Sequence, residues 1–199
     1  MNVLLIDADS KIPNLALMKI SQYYKMRGDN VGFYINNPDL IYGSIIFRKN
    51  KHLLDGLKFM YPGAKIDIGG PGYDLKKTLP KDIEDCPPDY TIYSENDRYI
   101  GFTSRGCIRD CPFCIVRKKE GAFKLIYDNP TAALNNIMGS AIFDKIELLD
   151  NNILANKKWF MDLTDLIIKK GLKVDFNKGL DIRLLDENIA KKTNRIKTD

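Results

Sequence analysis

Short apolar runs and helical-period stripes alternate along this chain. The run Val3-Leu4-Leu5-Ile6 is halted by Asp7-Ala8-Asp9-Ser10, the pattern of a buried strand followed by a helix start. From Pro13 on, Leu15, Met18, Ile20, Tyr23 and Tyr24 recur at roughly helical spacing, and Gly28 stops that helix at the turn Gly28-Asp29-Asn30. Residues 31–35 and 41–47 read as a second and a third strand, and 53–60 as a helix. Residues 64–68 read as a fourth strand running into Gly69-Gly70-Pro71-Gly72. Strands that look buried on both faces and alternate with helices imply a parallel α/β sheet.

Between 76 and 97 the periodicity fades. Pro80, Cys86-Pro87-Pro88 and several acids mark this stretch as a linker. A second series starts with a strand at 99–103, then a cysteine-rich loop and a helix at 131–138. A strand at 146–149 leads into Asp150-Asn151-Asn152, and an amphipathic helix at 159–170 ends at Gly171. A strand at 174–177 and a helix from 186 to 192 complete the pattern.

Composition narrows the class. The chain has 199 residues, 44% hydrophobic and 29% charged, which excludes a disordered, collagen-like or disulfide-dense protein. Such a length buries a core without needing a metal for folding. No apolar run approaches a membrane span of about 18–20 residues, and the first run is too short for a signal peptide, so the expected location is cytoplasmic. Charge is uneven: residues 1–97 carry net −1 and residues 98–199 net +6. That asymmetry suggests two units, although +6 over such a length is also an ordinary solvated surface.

Three of the four cysteines lie in Gly106-Cys107-Ile108-Arg109-Asp110-Cys111-Pro112-Phe113-Cys114, a C-x3-C-x2-C spacing just after an expected strand. In a reducing compartment clustered thiols more often bind metal than form disulfides. A loop at the C-terminal end of a parallel strand is where ligands bind in open sheets and barrels. Three thiolates can hold three corners of an iron–sulfur cluster and leave one iron to a non-protein ligand. Two alternatives stay open. Cys86 can complete a four-thiolate zinc or electron-transfer iron–sulfur site, or the thiols carry no metal. On its own, Cys86 reads as an incidental loop thiol.

C-x3-C-x2-C with an aromatic before the last cysteine, here Phe113, resembles the signature of the radical S-adenosylmethionine superfamily. The resemblance implies an enzyme in which Cys107, Cys111 and Cys114 ligate a 4Fe–4S cluster. The fourth iron then binds the amino and carboxylate groups of S-adenosylmethionine, and Phe113 lies beside the adenine. It implies reductive cleavage to a 5′-deoxyadenosyl radical, with the electron supplied by a donor such as flavodoxin or ferredoxin. Ile146-Glu147-Leu148-Leu149-Asp150-Asn151-Asn152 resembles the second strand of these barrels, so Asp150 and Asn152 are implied cofactor contacts. Asp175-Phe176-Asn177-Lys178-Gly179-Leu180-Asp181-Ile182-Arg183 resembles the third strand, offering Asn177 and Arg183 on the cofactor or substrate side.

Residues 1–75 resemble the cobalamin-binding-like, Rossmann-like domain that precedes some of these barrels. The likeness rests on residues 42–51 and on Gly69-Gly70-Pro71-Gly72-Tyr73-Asp74. In that subgroup a histidine after the first strand ligates cobalt, and Asp7-Ala8-Asp9-Ser10-Lys11 has none. The only histidine, His52, reads as a surface residue, so cobalamin could bind only without a histidine ligand and is not the favoured cofactor. Arg105, Arg109, Arg117, Lys118 and Lys119 surround the cysteines and suit a carboxylate, a phosphate or the charge of a thiolate-ligated cluster. A nucleic-acid partner would want a longer basic face with stacking aromatics.

The expected architecture is therefore a Rossmann-like domain at 1–75, a linker at 76–97 and a partial (β/α) barrel at 98–199. The barrels of the family usually have six βα units, and about three are counted here. A fragment, a truncated relative or a protein completed by a partner chain is the expectation that follows, since half a barrel leaves a sheet edge and apolar faces uncovered. The substrate is not legible.

Overall fold

The computed structural model describes residues 1–198; residue 199, the last of the expected second domain, lies outside the described residues. The fold is mixed α/β, and the chain divides into two compact units, Met1–Asn96 and a second from Asp97 on.

In the first unit, strands β1 (Asn2–Asp7), β2 (Asn30–Gly32), β3 (Leu40–Ser44) and β4 (Lys65–Gly69) form one parallel sheet in the order β2-β1-β3-β4. The apolar run at the start of the chain is continuous because both faces of the sheet are covered. Val3 and Leu5 pack with Leu17, Ile20 and Tyr24 of helix α1 (Leu15–Met26), while Leu4, Ile41 and Ile45 pack with Leu54 and Leu57. The Asn14 side chain caps α1 by accepting the Leu17 N–H, and Gly28 takes φ +80° just beyond the helix.

The expected helix at 53–60 is instead a 3-10 helix, Arg48–Leu54, followed by the short α2 (Leu57–Met60). Only Leu54 and Leu57 point into the core here, a three-residue spacing that 3-10 geometry satisfies. The second strand is shorter than expected because it is an edge strand paired to β1 alone. The third ends at Ser44: the Ile45 N–H still bonds the Gly69 carbonyl, but the Ile46 and Phe47 N–H groups turn to the Asp9 side chain.

The segment 76–97, expected to be a linker, is for the most part folded onto the first unit. Helix α3 (Lys81–Glu84) buries Ile83 in the same cluster as α1, and the Lys19 ammonium reaches the Glu84 carboxylate at 3.1 Å. The Ser21 hydroxyl donates to Asp89 at 2.6 Å. Prolines interrupt periodicity without preventing packing, which is why the pattern alone looked unstructured.

In the second unit, β5 (Tyr99–Gly101) leads into a hairpin of β6 (Ser104–Arg105) and β7 (Lys124–Leu125), with α4 (Val116–Lys119) inside its loop. Then come α5 (Pro130–Met138), β8 (Lys145–Leu148), α6 (Lys157–Lys169), β9 (Lys173–Phe176) and α7 (Glu187–Thr193). Strands β5, β8 and β9 are parallel neighbours in chain order. Asn129, Asn156 and Asp186 cap α5, α6 and α7 through their side chains, and Gly139 and Gly171 follow α5 and α6 with positive φ. Gly101 lets α5 sit directly on β5, since a Cβ there would lie 2.5 Å from the Ile137 side chain.

Candidate functional site

The cysteine loop leaves the C-terminal end of β5 and is held there by a buried carboxylate. Asp150, at the end of β8, accepts hydrogen bonds from the Thr103 amide (3.0 Å) and hydroxyl (2.7 Å) and from the Ser104 amide (2.6 Å) and hydroxyl (2.5 Å). Burial pushes its carboxyl above the ordinary value, against the pull of these four donors. The Trp159 indole N–H adds a bond to the Thr103 hydroxyl at 3.0 Å. Asn151 accepts the Gly106 N–H at 3.0 Å. Gly106 itself has φ +76°, and a Cβ would lie 2.2 Å from the Ala122 carbonyl oxygen, so only glycine fits the neck of the hairpin.

Above that neck the three thiols share one half-exposed loop, and all four cysteines of the chain are free. Among the described residues no three thiol, imidazole or carboxylate groups converge on a point that would hold a metal ion. Cys107 Sγ accepts the Arg109 main-chain N–H at 3.3 Å and lies 3.4 Å from Asn152 Nδ2. The Cys114 N–H bonds the Cys111 carbonyl at 2.9 Å, closing a turn over the C-x2-C pair. Phe113 is 92% exposed.

A charged cluster adjoins the thiols. Asp181, in the loop after β9, accepts from Arg183 Nε (2.7 Å), Arg109 Nε (3.0 Å) and Asn152 Nδ2 (3.2 Å). Arg183, followed by Arg109 and Asn152, holds the Asp181 carboxyl well below the usual range, although burial opposes them. Asp181 in turn raises the Arg183 guanidinium, although burial opposes it. Among the described residues Asn152 Oδ1 is buried with no hydrogen-bond partner, an uncommon condition for a buried acceptor.

The residues singled out in the sequence thus separate. Asn152 and Arg183 both meet Asp181, a residue the sequence alone does not single out, and Asn152 also lies at Cys107 Sγ. Asp150 lies beneath the loop with its oxygens turned to Thr103 and Ser104, as an anchor. Asn177 Nδ2 donates to Glu147 at 2.6 Å, and burial pushes that carboxyl up, helped by the charge of Asp175. Of the basic residues, Arg105 stacks 3.9 Å over the Phe102 ring and pairs with Glu120, and Arg117 donates to the Cys107 carbonyl at 3.2 Å. The signal for Asp181 was its place two residues before Arg183 in a polar loop after a strand.

The donor set fits an iron–sulfur cluster in its chemistry: three soft thiols on one irregular loop, with an orphaned buried acceptor beside them. Cys86 belongs to the first unit, where its thiol donates to the Asp82 carbonyl at 3.3 Å and burial keeps it protonated to higher pH.

The first unit does not fit cobalamin in the same way. In a sheet of this order the ligand crevice opens between the ends of β1 and β3. Here Asp9 spans that gap, accepting from Ile46 N–H (2.7 Å), Phe47 N–H (3.0 Å) and Asn50 Nδ2 (2.9 Å). Asn14 Nδ2 bridges Ser10 and Ser44 at 3.0 and 2.8 Å. Gly70 and Gly72 pack so closely on Ile45 and Phe47 that a Cβ would meet atoms at 2.2 and 2.4 Å. His52 is exposed, with Nδ1 on the Lys49 carbonyl at 3.1 Å.

No helix among the described residues is long and apolar enough to cross a membrane. Compared with family models and with curated proteins, the chain matches none.

Proposed function

We propose that the second unit is the N-terminal part of a radical S-adenosylmethionine barrel and that Cys107, Cys111 and Cys114 hold a 4Fe–4S cluster. The observation that carries this reading is the position of the C-x3-C-x2-C loop. It leaves the C-terminal end of the first of three parallel strands that neighbour one another in chain order. Sequential neighbours connected by α5 and α6 are the arrangement of a (β/α) barrel wall, whereas the order β2-β1-β3-β4 of the first unit supports a Rossmann-like domain.

When bound, the cluster supplies one electron to the sulfonium of S-adenosylmethionine. The chain's own residues bind and orient. The Asp150 anchor fixes where the loop starts, and the thiols supply three iron ligands. Asn152 Oδ1 offers a buried acceptor suited to the amino group of the cofactor, and Phe113 offers an exposed ring for the adenine. Arg183 and Arg109 supply positive charge suited to a carboxylate.

Anaerobic reconstitution of the full chain with iron and sulfide, followed by dithionite and S-adenosylmethionine, tests this. The expected result is an oxygen-labile brown cluster, perturbed by S-adenosylmethionine and absent from the triple Cys→Ala variant, with 5′-deoxyadenosine formed. About one oxygen-insensitive zinc, or a stable cluster that never binds S-adenosylmethionine, overturns the reading and favours a non-catalytic metal-binding module.

A further inference from the structure

Asp181 hydrogen-bonds both residues whose N–H groups lie at Cys107 Sγ, Asn152 and Arg109. A carboxylate only accepts, so the Asn152 amide must turn its nitrogen towards it. The same nitrogen has a second hydrogen, and Cys107 Sγ lies 3.4 Å away. This orientation is also what leaves Asn152 Oδ1 buried and unpartnered. On the loop itself, Asp181 binds Arg109 Nε, and the Arg109 main-chain N–H points at Cys107 Sγ from 3.3 Å. From the other side it binds Arg183 through Nε and Nη2 at 2.7 and 3.2 Å. One carboxylate thus joins the cysteine loop, the end of β8 and the loop after β9.

We infer that Asp181 is a positioning residue that aims N–H donors at the cysteine sulfurs and thereby raises the reduction potential of the cluster they hold. The inference rests on the cluster reading above. Hydrogen bonds to the sulfurs and net charge are two of the quantities that set such potentials. Donors stabilise the reduced, more negative state, so losing them makes reduction harder.

The two effects of Asp181 have opposite signs, and that makes the inference testable. As a bare negative charge beside the cluster, Asp181 would depress the potential, and Asp181→Asn would raise it. As the holder of the donors it supports the potential, and Asp181→Asn lowers it. Asn152→Leu changes no charge and removes one N–H···S contact directly.

Full-length wild type, Asn152→Leu and Asp181→Asn are reconstituted anaerobically, and bound iron and sulfide are measured first. Each is then titrated with dithionite through mediator dyes and followed by electron paramagnetic resonance. The step read is uptake of one electron by the cluster, with no bond made or broken. Asn152→Leu is expected to lower the ratio of reduced to oxidised cluster at a fixed potential about tenfold, which is ~59 mV for one electron. Asp181→Asn shifts in the same direction, and Asp181→Glu recovers part of the loss. An unchanged potential in Asn152→Leu, or a raised one in Asp181→Asn, overturns the inference and leaves the cluster reading intact. A variant that binds clearly less iron and sulfide than the wild type shows a role in holding the cluster instead of setting its potential, and overturns the inference. A wild type that binds no cluster overturns the parent reading and this inference together.

Discussion

Asp150 and Ser104 are joined twice, through the Ser104 amide at 2.6 Å and its hydroxyl at 2.5 Å, where both residues are buried. With the matching pair from Thr103, this contact ties the end of β8 to the first residues of the cysteine loop. Removing the carboxylate leaves buried amides without an acceptor, which costs more than the net value of the bonds. Asp150→Ala is expected to destabilise the second unit by about 3 kcal/mol. Urea unfolding followed through Trp159, the chain's single tryptophan, reads this directly because its indole bonds Thr103. A loss below about 1 kcal/mol would remove Asp150 as the anchor.

The glycines of the hairpin offer a matched pair. Gly106 and Gly121 have φ +76° and +79°, but a Cβ at Gly106 would strike the Ala122 carbonyl while Gly121 faces open space. Gly121→Ala is expected to cost about 1 kcal/mol for the left-handed backbone alone. Gly106→Ala adds the steric clash, for about 3 kcal/mol in total, and releases the loop neck. Equal costs in equilibrium unfolding would mean that the close approach at Gly106 is not a constraint.

Asp89 is expected to contribute to the acid stability of the first unit. Burial pushes its carboxyl up, but Lys25, Ser21 and Thr91 together outweigh burial and hold it below the ordinary value of 3.8. A carboxylate depressed by folding contributes stability above its unfolded pKa and loses it as pH falls through the folded value. Protection of α1 amides from hydrogen exchange is therefore expected to fall as the pH drops below 3.8, and Asp89→Asn should flatten that decline. At neutral pH the same substitution costs about 2 kcal/mol, since the Lys25 and Ser21 partners at 2.7 and 2.6 Å lose their acceptor charge. An unaltered acid profile in Asp89→Asn would assign the effect to other groups.

The Asp9 clamp makes a prediction about cofactor choice. Burial disfavours its charge, yet the Ile46 and Phe47 amides and the Asn50 side chain hold its carboxyl below the ordinary value, so it remains an acceptor at neutral pH. Hydroxocobalamin added to the full chain is expected to keep the visible spectrum of the free compound. Asp9→Ala should weaken the first unit by about 1–2 kcal/mol without creating binding. A spectral shift at equimolar cobalamin would show that the β1–β3 edge opens.

The sequence by itself determined the order of elements and where the chemistry lies. Apolar runs of four or five residues, helical stripes and terminal glycines located the strands of the two parallel sheets and helices α1, α5, α6 and α7 to within a few residues, because those signals are local. The cysteine spacing and its place after a strand were legible for the same reason. Tertiary structure decided what depends on residues far apart in the chain. It folded 81–96 onto the first unit through Ile83 and Asp89, since a proline-rich segment packs by side-chain fit without any period to betray it. It brought Asp150 onto Ser104 across 46 residues, as a buried anchor of the loop. It also brought Asp181 to Arg109 across 72 residues, a charge pairing that only the parallel order β5-β8-β9 creates by placing three strand ends side by side.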